Sequence, residues 1–144
     1  MYVQTNTLDS TAPQTNTDYV VEQFRLSHFG IHVIGTTSTQ EKADLAKANG
    51  AEHVILYSKD NLDEVVQKVK ALTPDGEGVH AVLDGVGKDT WESDFEVVRM
   101  KGIIVTFGNA SGPVPPFAPL KLAAKNLKGE GMTAEGVMAL YFGL

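Results

Sequence analysis

The chain has 144 residues and a net charge of −6, and apolar residues make up 42% of it against 21% charged. This is the composition of one ordinary globular domain, and its acidic balance argues against nucleic acid or an anionic membrane as the main partner. The absence of cysteine excludes disulfides and thiolate zinc sites, and without a signal-peptide pattern or an apolar run of roughly 20 residues we expect a cytoplasmic protein with no membrane span.

The first 17 residues, MYVQTNTLDSTAPQTNT, contain five threonines and little that a core would bury. We predict a disordered polar tail over 1–17. From Asp18 onward, apolar residues recur at helical spacing and predict a helix that ends near Gly30.

Strands and helices alternate after that point. The predicted strands are short, continuous apolar runs, which are typical of a parallel sheet covered on both faces. A helical pattern separates each pair of consecutive strands. The sequence thus predicts an α/β, doubly wound (Rossmann-like) sheet within 18–128, followed by a tail over 129–144. The predicted strands are 31–36, 53–57, 79–83 and 103–107.

The end of the first of these strands carries the clearest chemical signal. The apolar run stops at Gly35, and four hydroxyl residues and then Lys42 follow, the four being Thr36, Thr37, Ser38 and Thr39. NAD-binding domains often place a carboxylate here to hold the ribose hydroxyls, whereas a 2′-phosphate would be held by hydroxyls, helix-start N–H groups and a lysine. The segment indicates NADP rather than NAD. The alternative interpretation is a helix cap, opened by Ser38, and a solvated lysine.

Three further features lie at predicted strand ends. Tyr57 either contacts an adenosine moiety or is structural. The turn Asp84–Thr90 has only the first two glycines of a G-x-G-x-x-G fingerprint, because Thr90 stands at the third, and we interpret it as a tight turn lining a cofactor cleft. The third feature is the segment that starts at Phe107, which is a loop that either contacts a ligand or contacts none. The candidate residues in the two segments are Gly85, Val86, Gly87, Phe107, Gly108 and Asn109.

Catalytic and metal-binding patterns do not emerge from the sequence. The four histidines are scattered without ligand spacing, and no acidic pair stands out. We therefore expect no metal site, and the catalytic residues stay unknown.

Two runs carry a resemblance to a known family: IHVIGTTSTQEKADLAKANGAEHVILYS and GVHAVLDGVGKDTWESDFEVVRMKGIIVTFGNASGPVPPF. They resemble the NADPH:quinone oxidoreductase (zeta-crystallin-like) branch of the medium-chain dehydrogenase/reductase superfamily. DGVGKDTWE and FGNASGPVPPF are the most specific pieces. The resemblance implies zinc-independent hydride transfer from NADPH to a quinone or activated alkene, and a homodimer. It also implies that Lys42 contacts the 2′-phosphate, that Tyr57 lies on the adenosine side, and that 107–109 lies beside the nicotinamide.

This sequence also departs from the family pattern in the region before Ile31. Family members have a first strand, a glycine-rich pyrophosphate loop and a catalytic domain before the segment that starts at Ile31, and this sequence shows none of them. We therefore expect a partial sheet that lacks its first strand and glycine loop. Three hypotheses stay open. The first is an NADPH-dependent quinone oxidoreductase-like protein, and the second is a non-catalytic truncated paralogue or fragment with at most weak nucleotide binding. The third is a binding or structural role, for which the acidic balance argues against RNA as the partner.

Overall fold

One parallel sheet of six strands organises the part of the chain that the computed structural model describes, namely residues 1–6, 30–48 and 51–131. The strand order is β3-β2-β1-β4-β5-β6, and every pairing is parallel. This is the order of a doubly wound dinucleotide-binding sheet, so the predicted fold class is confirmed. The strands are β1 (Tyr2–Asn6), β2 (His32–Thr37), β3 (His53–Leu56), β4 (Val79–Asp84), β5 (Val98–Thr106) and β6 (Lys128–Gly131).

Helices connect the strands much as the sequence predicts. They are α1 (Gln40–Ala48), α2 (Leu62–Ala71), α3 (Trp91–Val97) and α4 (Leu120–Ala123), with a 3-10 turn at Pro74–Gly76. Val98 directly follows α3 and begins β5. None of these described helices is long and apolar enough to cross a membrane.

The first strand is present, which corrects two predictions. Residues 2–6 form β1 at the centre of the sheet, between β2 and β4, so they are neither disordered nor missing from the fold. The strand is anchored where it starts, because the Tyr2 N–H donates to Nδ1 of His80 at 3.1 Å and the Met1 ammonium donates to the Gly30 carbonyl at 3.1 Å. Pairing on both sides spares β2 and β4 the cost of unpaired backbone groups. The rest of the predicted tail and the predicted helix before Gly30 lie outside the described residues.

Alternation along the strands fills both faces of the sheet. Ile34, Val82 and Ile104 belong to the larger apolar cluster, which α2 and α3 cover. Their neighbours Val33 and Val105 belong to a second cluster on the opposite face. Helix α1 lies on that second face, since Ala46 packs with Val54 and Val54 pairs with Gly35 rather than with Ile34. Helices on both faces explain why the strands are apolar throughout.

The boundary predicted at residue 129 is wrong. Strand β6 crosses it and pairs with β5 from Ile103 to Thr106. Residues 132–144 lie outside the described part.

Candidate functional site at the carboxyl edge of the sheet

Strand β2 is longer than its apolar run suggests. Gly35 lies inside the strand, paired with β1 and β3, and the strand ends at Thr37. Thr36 and Thr37 are buried, at 2% and 3% exposure, while Ser38 and Thr39 are exposed. The predicted hydroxyl cluster is therefore split into a buried pair and an exposed pair, and no carboxylate stands among them.

Helix α1 starts directly beside this strand end. Oγ1 of Thr39 accepts a hydrogen bond from the N–H of Lys42 at 3.4 Å, and the Thr39 carbonyl accepts from Ala43 at 3.1 Å. Thr39 is the N-cap, so the capping position is one residue later than the predicted Ser38. Lys42 thus lies in the first turn, where the partial positive charge of the helix start adds to its ammonium. Glu41 stands in the same turn, so the positive charge available to an anion at this corner comes from the Lys42 ammonium and the helix start.

Tyr57 follows β3 and is linked to the end of β2. Its N–H donates to the Thr37 carbonyl at 2.9 Å, and its ring is 7% exposed within the larger cluster. Burial raises the pKa of Tyr57 well above its usual range, and the negative charges of Asp84, Asp89 and Asp94 raise it further. The hydroxyl is therefore a protonated donor at any physiological pH.

Two buried hydroxyl groups at this edge lack hydrogen-bond partners within the described residues: Oγ1 of Thr37 and the hydroxyl of Tyr57. They point to opposite faces, because Thr37 alternates with Thr36 and Tyr57 belongs to the α2–α3 face. A buried polar group without a partner costs about 1–3 kcal/mol. The donor set around the end of β2 consequently fits a polar ligand that has hydroxyl and phosphate groups.

The turn after β4 is held from within by Asp84, which is 0% exposed. One carboxylate accepts from the N–H of Val86 at 2.9 Å, from the N–H of Gly87 at 3.0 Å and from Oγ1 of Thr90 at 3.0 Å. Thr90 thus has a structural role at the position where the dinucleotide fingerprint has its third glycine. These backbone N–H groups already have partners, so the turn shapes a cleft rather than donating to a phosphate.

The loop after β5 is joined to that turn. The N–H of Ser111 donates to the Val86 carbonyl at 2.8 Å, its hydroxyl donates to the same oxygen at 2.8 Å, and the N–H of Ala110 donates to Gly85 at 3.2 Å. Gly108 and Gly87 allow the contact, since a Cβ on Gly108 would lie 2.8 Å from the Gly85 carbonyl oxygen. The predicted segments 85–87 and 107–109 are brought together, and Asn109 is exposed beside them. The structural role of Ser111 depends on contacts across 25 residues of sequence, and no local motif signals it.

The three histidines among the described residues, His32, His53 and His80, lie at the opposite edge of the sheet. Nδ1 of His32 is 2.6 Å from Glu52, and Nε2 of His53 is 3.7 Å from it. Within the described ranges, no group of three or more His, Asp or Glu side chains could hold a metal ion. His80 accepts from the backbone of Tyr2, and burial, then Arg99 and the N-terminal ammonium, lower the pKa of His80.

A groove of about 470 Å³ is also remote from the strand ends at which the predicted site lies. It lies between α1 and α2 along the edge strand β3, and Lys47, His53 and Lys68 contribute to its walls. None of the predicted site residues lines it.

Comparison with known proteins agrees with this geometry. The family model described as zinc-binding dehydrogenase matches residues 25–139. The chain belongs to this family. The match covers most of the chain and includes β2 to β6.

Several of the relatives are quinone oxidoreductases. A quinone oxidoreductase from Pseudomonas aeruginosa is 49% identical over 85 residues, which are 59% of this chain and 25% of that protein. The crystal structure of a quinone oxidoreductase from Pseudomonas syringae matches 92% of this chain and 37% of that one, with 34% identity and a TM-score of 0.73. The Escherichia coli quinone oxidoreductase complexed with NADPH matches 95% of this chain and 39% of that one, with 28% identity and a TM-score of 0.73.

These matches confirm the predicted resemblance to the quinone oxidoreductase branch. The chain spans about a quarter to two-fifths of the length of these relatives.

Proposed function

We propose that this chain is the NADPH-binding unit of a quinone oxidoreductase-like protein that transfers hydride from NADPH to a quinone or an activated alkene. The observation that carries the proposal is the end of β2. It is neutral and hydroxylated, and Lys42 stands in the first turn of the helix that follows. An extra phosphate on the adenosine ribose needs a cation and donors there, and a carboxylate would repel it.

The other described residues at the carboxyl edge support a cofactor whose adenosine half lies at the end of β2. Thr37 and Tyr57 flank the adenosine side and provide the two buried hydroxyl groups. The turn at 85–87 and the loop at 107–109 form the floor of the nicotinamide side, where Gly108 lets backbone segments approach closely. The segment that follows β1, where a diphosphate would lie in this fold, is outside the described residues.

Bound NADPH would supply the hydride. The protein residues then bind and orient it and limit access of water, so that the reacting carbon faces the acceptor. This part of the proposal requires no metal ion. Zinc independence, a homodimer and a cytoplasmic location belong to the proposal, and they are supported by the resemblance to the quinone oxidoreductase branch.

A second candidate is nucleotide binding without catalysis by this chain. The described carboxyl edge favours it, because no acid and base are paired for catalysis among the described residues there. In this case the chain binds NADPH but does not consume it when a quinone is added. Steady NADPH oxidation by the 144-residue chain would decide for the enzyme.

Calorimetric titration with NADPH and NADH tests the cofactor. We expect NADPH to bind more tightly by about tenfold or more, because hydrogen bonds to charged groups contribute roughly 1.5–3 kcal/mol. Lys42→Ala should remove most of this preference. Lys47→Ala, which changes an exposed lysine of the same helix, should leave it intact. Equal affinities for the two cofactors in the parent chain would refute the proposal.

A further inference from the structure

One ion pair at the carboxyl edge links two elements that are distant in the sheet. Nζ of Lys59, in the loop after β3, is 2.8 Å from Oδ2 of Asp89, in the turn after β4. Strands β2 and β1 lie between β3 and β4. The loop that carries Tyr57 therefore extends across the edge and is held at its far side.

The Asp89 end of this pair is fixed. Its side chain is 17% exposed, and its N–H donates to Oγ of Ser111 at 3.0 Å, while that hydroxyl donates to the Val86 carbonyl. Asp89 thus belongs to the rigid junction between the turn after β4 and the loop after β5. An anchored carboxylate needs less ordering to hold a lysine than a mobile one does.

The Lys59 end belongs to a loop with mainly local contacts. Ser58 donates to Oδ1 of Asn61 at 2.6 Å, and Asn61 donates to the Ser58 carbonyl at 3.3 Å. Tyr57, two residues before Lys59, is tied to β2 through its N–H. Among the described residues, the part of the loop that follows Tyr57 therefore reaches another element of the sheet through the ion pair of Lys59 with Asp89.

We propose that the Lys59–Asp89 ion pair is a latch that positions Tyr57 for nucleotide binding. The inference rests on the proposed function for its cofactor. Lys59 acts through Tyr57. With the latch closed, the tyrosine ring stays in the apolar cluster that includes Trp91 and Phe95. Its buried hydroxyl has no hydrogen-bond partner among the described residues, so it is left for a polar group of the ligand. With the latch open, the loop samples other positions and binding has to order it again.

Hydrogen exchange of the ligand-free chain tests the latch by itself. Lys59→Met keeps the aliphatic stem and removes the charge, and it should speed exchange across residues 57–61 severalfold. Lys59→Arg should restore slow exchange. Lys68→Met is the matched control, because Lys68 is also an exposed lysine with an acidic partner, Glu64, at 3.7 Å. Unchanged exchange in Lys59→Met would overturn the inference.

Binding of NADPH tests the positioning. Lys59→Met should weaken it by about two- to fivefold, the size expected for an ion pair with one exposed partner. The same change in an Asp89→Asn background should have little further effect, since Lys59 acts through Asp89. An equal loss in both backgrounds would mean that Lys59 attracts the cofactor directly, and would overturn the latch. If the parent chain bound no NADPH while exchange still responded to Lys59→Met, the proposed function would fail and the role in cofactor binding with it.

Discussion

The hydroxyl of Tyr57 is a donor that the described part of the fold buries without using. Its raised pKa follows from burial first and from three neighbouring carboxylates second. Both causes favour the neutral phenol, so ionisation opposes folding. A neutral phenol is suited to donate to a ligand oxygen. Because its pKa is raised by folding, the free energy of unfolding falls as the pH rises into the alkaline range.

Tyr57→Phe should reveal this dependence. The folded chain keeps the phenol proton above the ordinary tyrosine pKa of about 10, whereas the unfolded chain loses it, so stability falls as pH rises through this range by up to about 1.4 kcal/mol per pH unit. The variant lacks this loss. Urea unfolding at several pH values between about 7 and 11 gives the free energy of unfolding of both chains as a function of pH. The two plots should be parallel near neutrality and diverge in favour of the variant above about pH 10. Parallel curves throughout would show that Tyr57 is not buried as described.

At the scale of elements, the turn after β4 and the loop after β5 act as one unit. Hydrogen bonds among the described residues join them. Ala110 donates to Gly85, Ser111 donates twice to Val86, Lys88 donates to Gly112 at 3.1 Å, and Asp89 donates to Ser111 at 3.0 Å. The contact depends on Gly108, where an added methyl group would collide with backbone rather than with a side chain that can move.

Gly108→Ala should therefore destabilise the chain by about 1–3 kcal/mol, the usual cost of overpacking. Gly35→Ala provides the matched control: its Cβ would lie 3.7 Å from Val54, an ordinary contact, and should be neutral or slightly stabilising. Thermal unfolding of the two variants measures the difference. Equal melting temperatures would contradict the close approach of the two segments.

The ammonium of Lys125 caps the carboxyl end of helix α3. Its ammonium donates to three backbone carbonyls, those of Phe95 at 2.5 Å, Val98 at 2.8 Å and Glu96 at 3.2 Å. These oxygens carry the negative end of the helix dipole. The lysine thereby ties the segment before β6 to the start of β5.

Lys125→Met should lower the free energy of unfolding by about 1.5–3 kcal/mol, because it leaves these carbonyls without their charged donor. Lys47→Met, an exposed lysine in the last turn of α1, should change it by less than about 0.5 kcal/mol. Denaturant titration compares the two, and similar small effects would show that the three hydrogen bonds contribute little.

At the scale of the whole molecule, the sequence predicts those elements whose own residues carry a strong pattern. The apolar runs of β2 to β5 and the stripe of Val65, Val66 and Val69 in α2 made the doubly wound class predictable. Strand β1 could not be predicted from YVQTN, since Val3 is its one aliphatic side chain and pairing with β2 and β4 holds it. Tertiary pairing there overrides local propensity.

The candidate site shows the same division. The chemistry of the segment from Thr36 to Lys42 is local and is visible in the sequence. The use of Asp84 to hold Thr90, and of Ser111 to hold Val86, depends on distances that the fold sets. Sequence patterns therefore suggested the ligand better than they identified the residues that build the cleft.

A crystal structure of the chain with NADPH tests the central claim most directly. We predict that a 2′-phosphate oxygen lies within about 4 Å of the Lys42 ammonium, at the start of α1, with the adenosine between the ends of β2 and β3. A 2′-phosphate bound instead in the groove at Lys47 and Lys68, or an adenosine turned away from Tyr57, would contradict it.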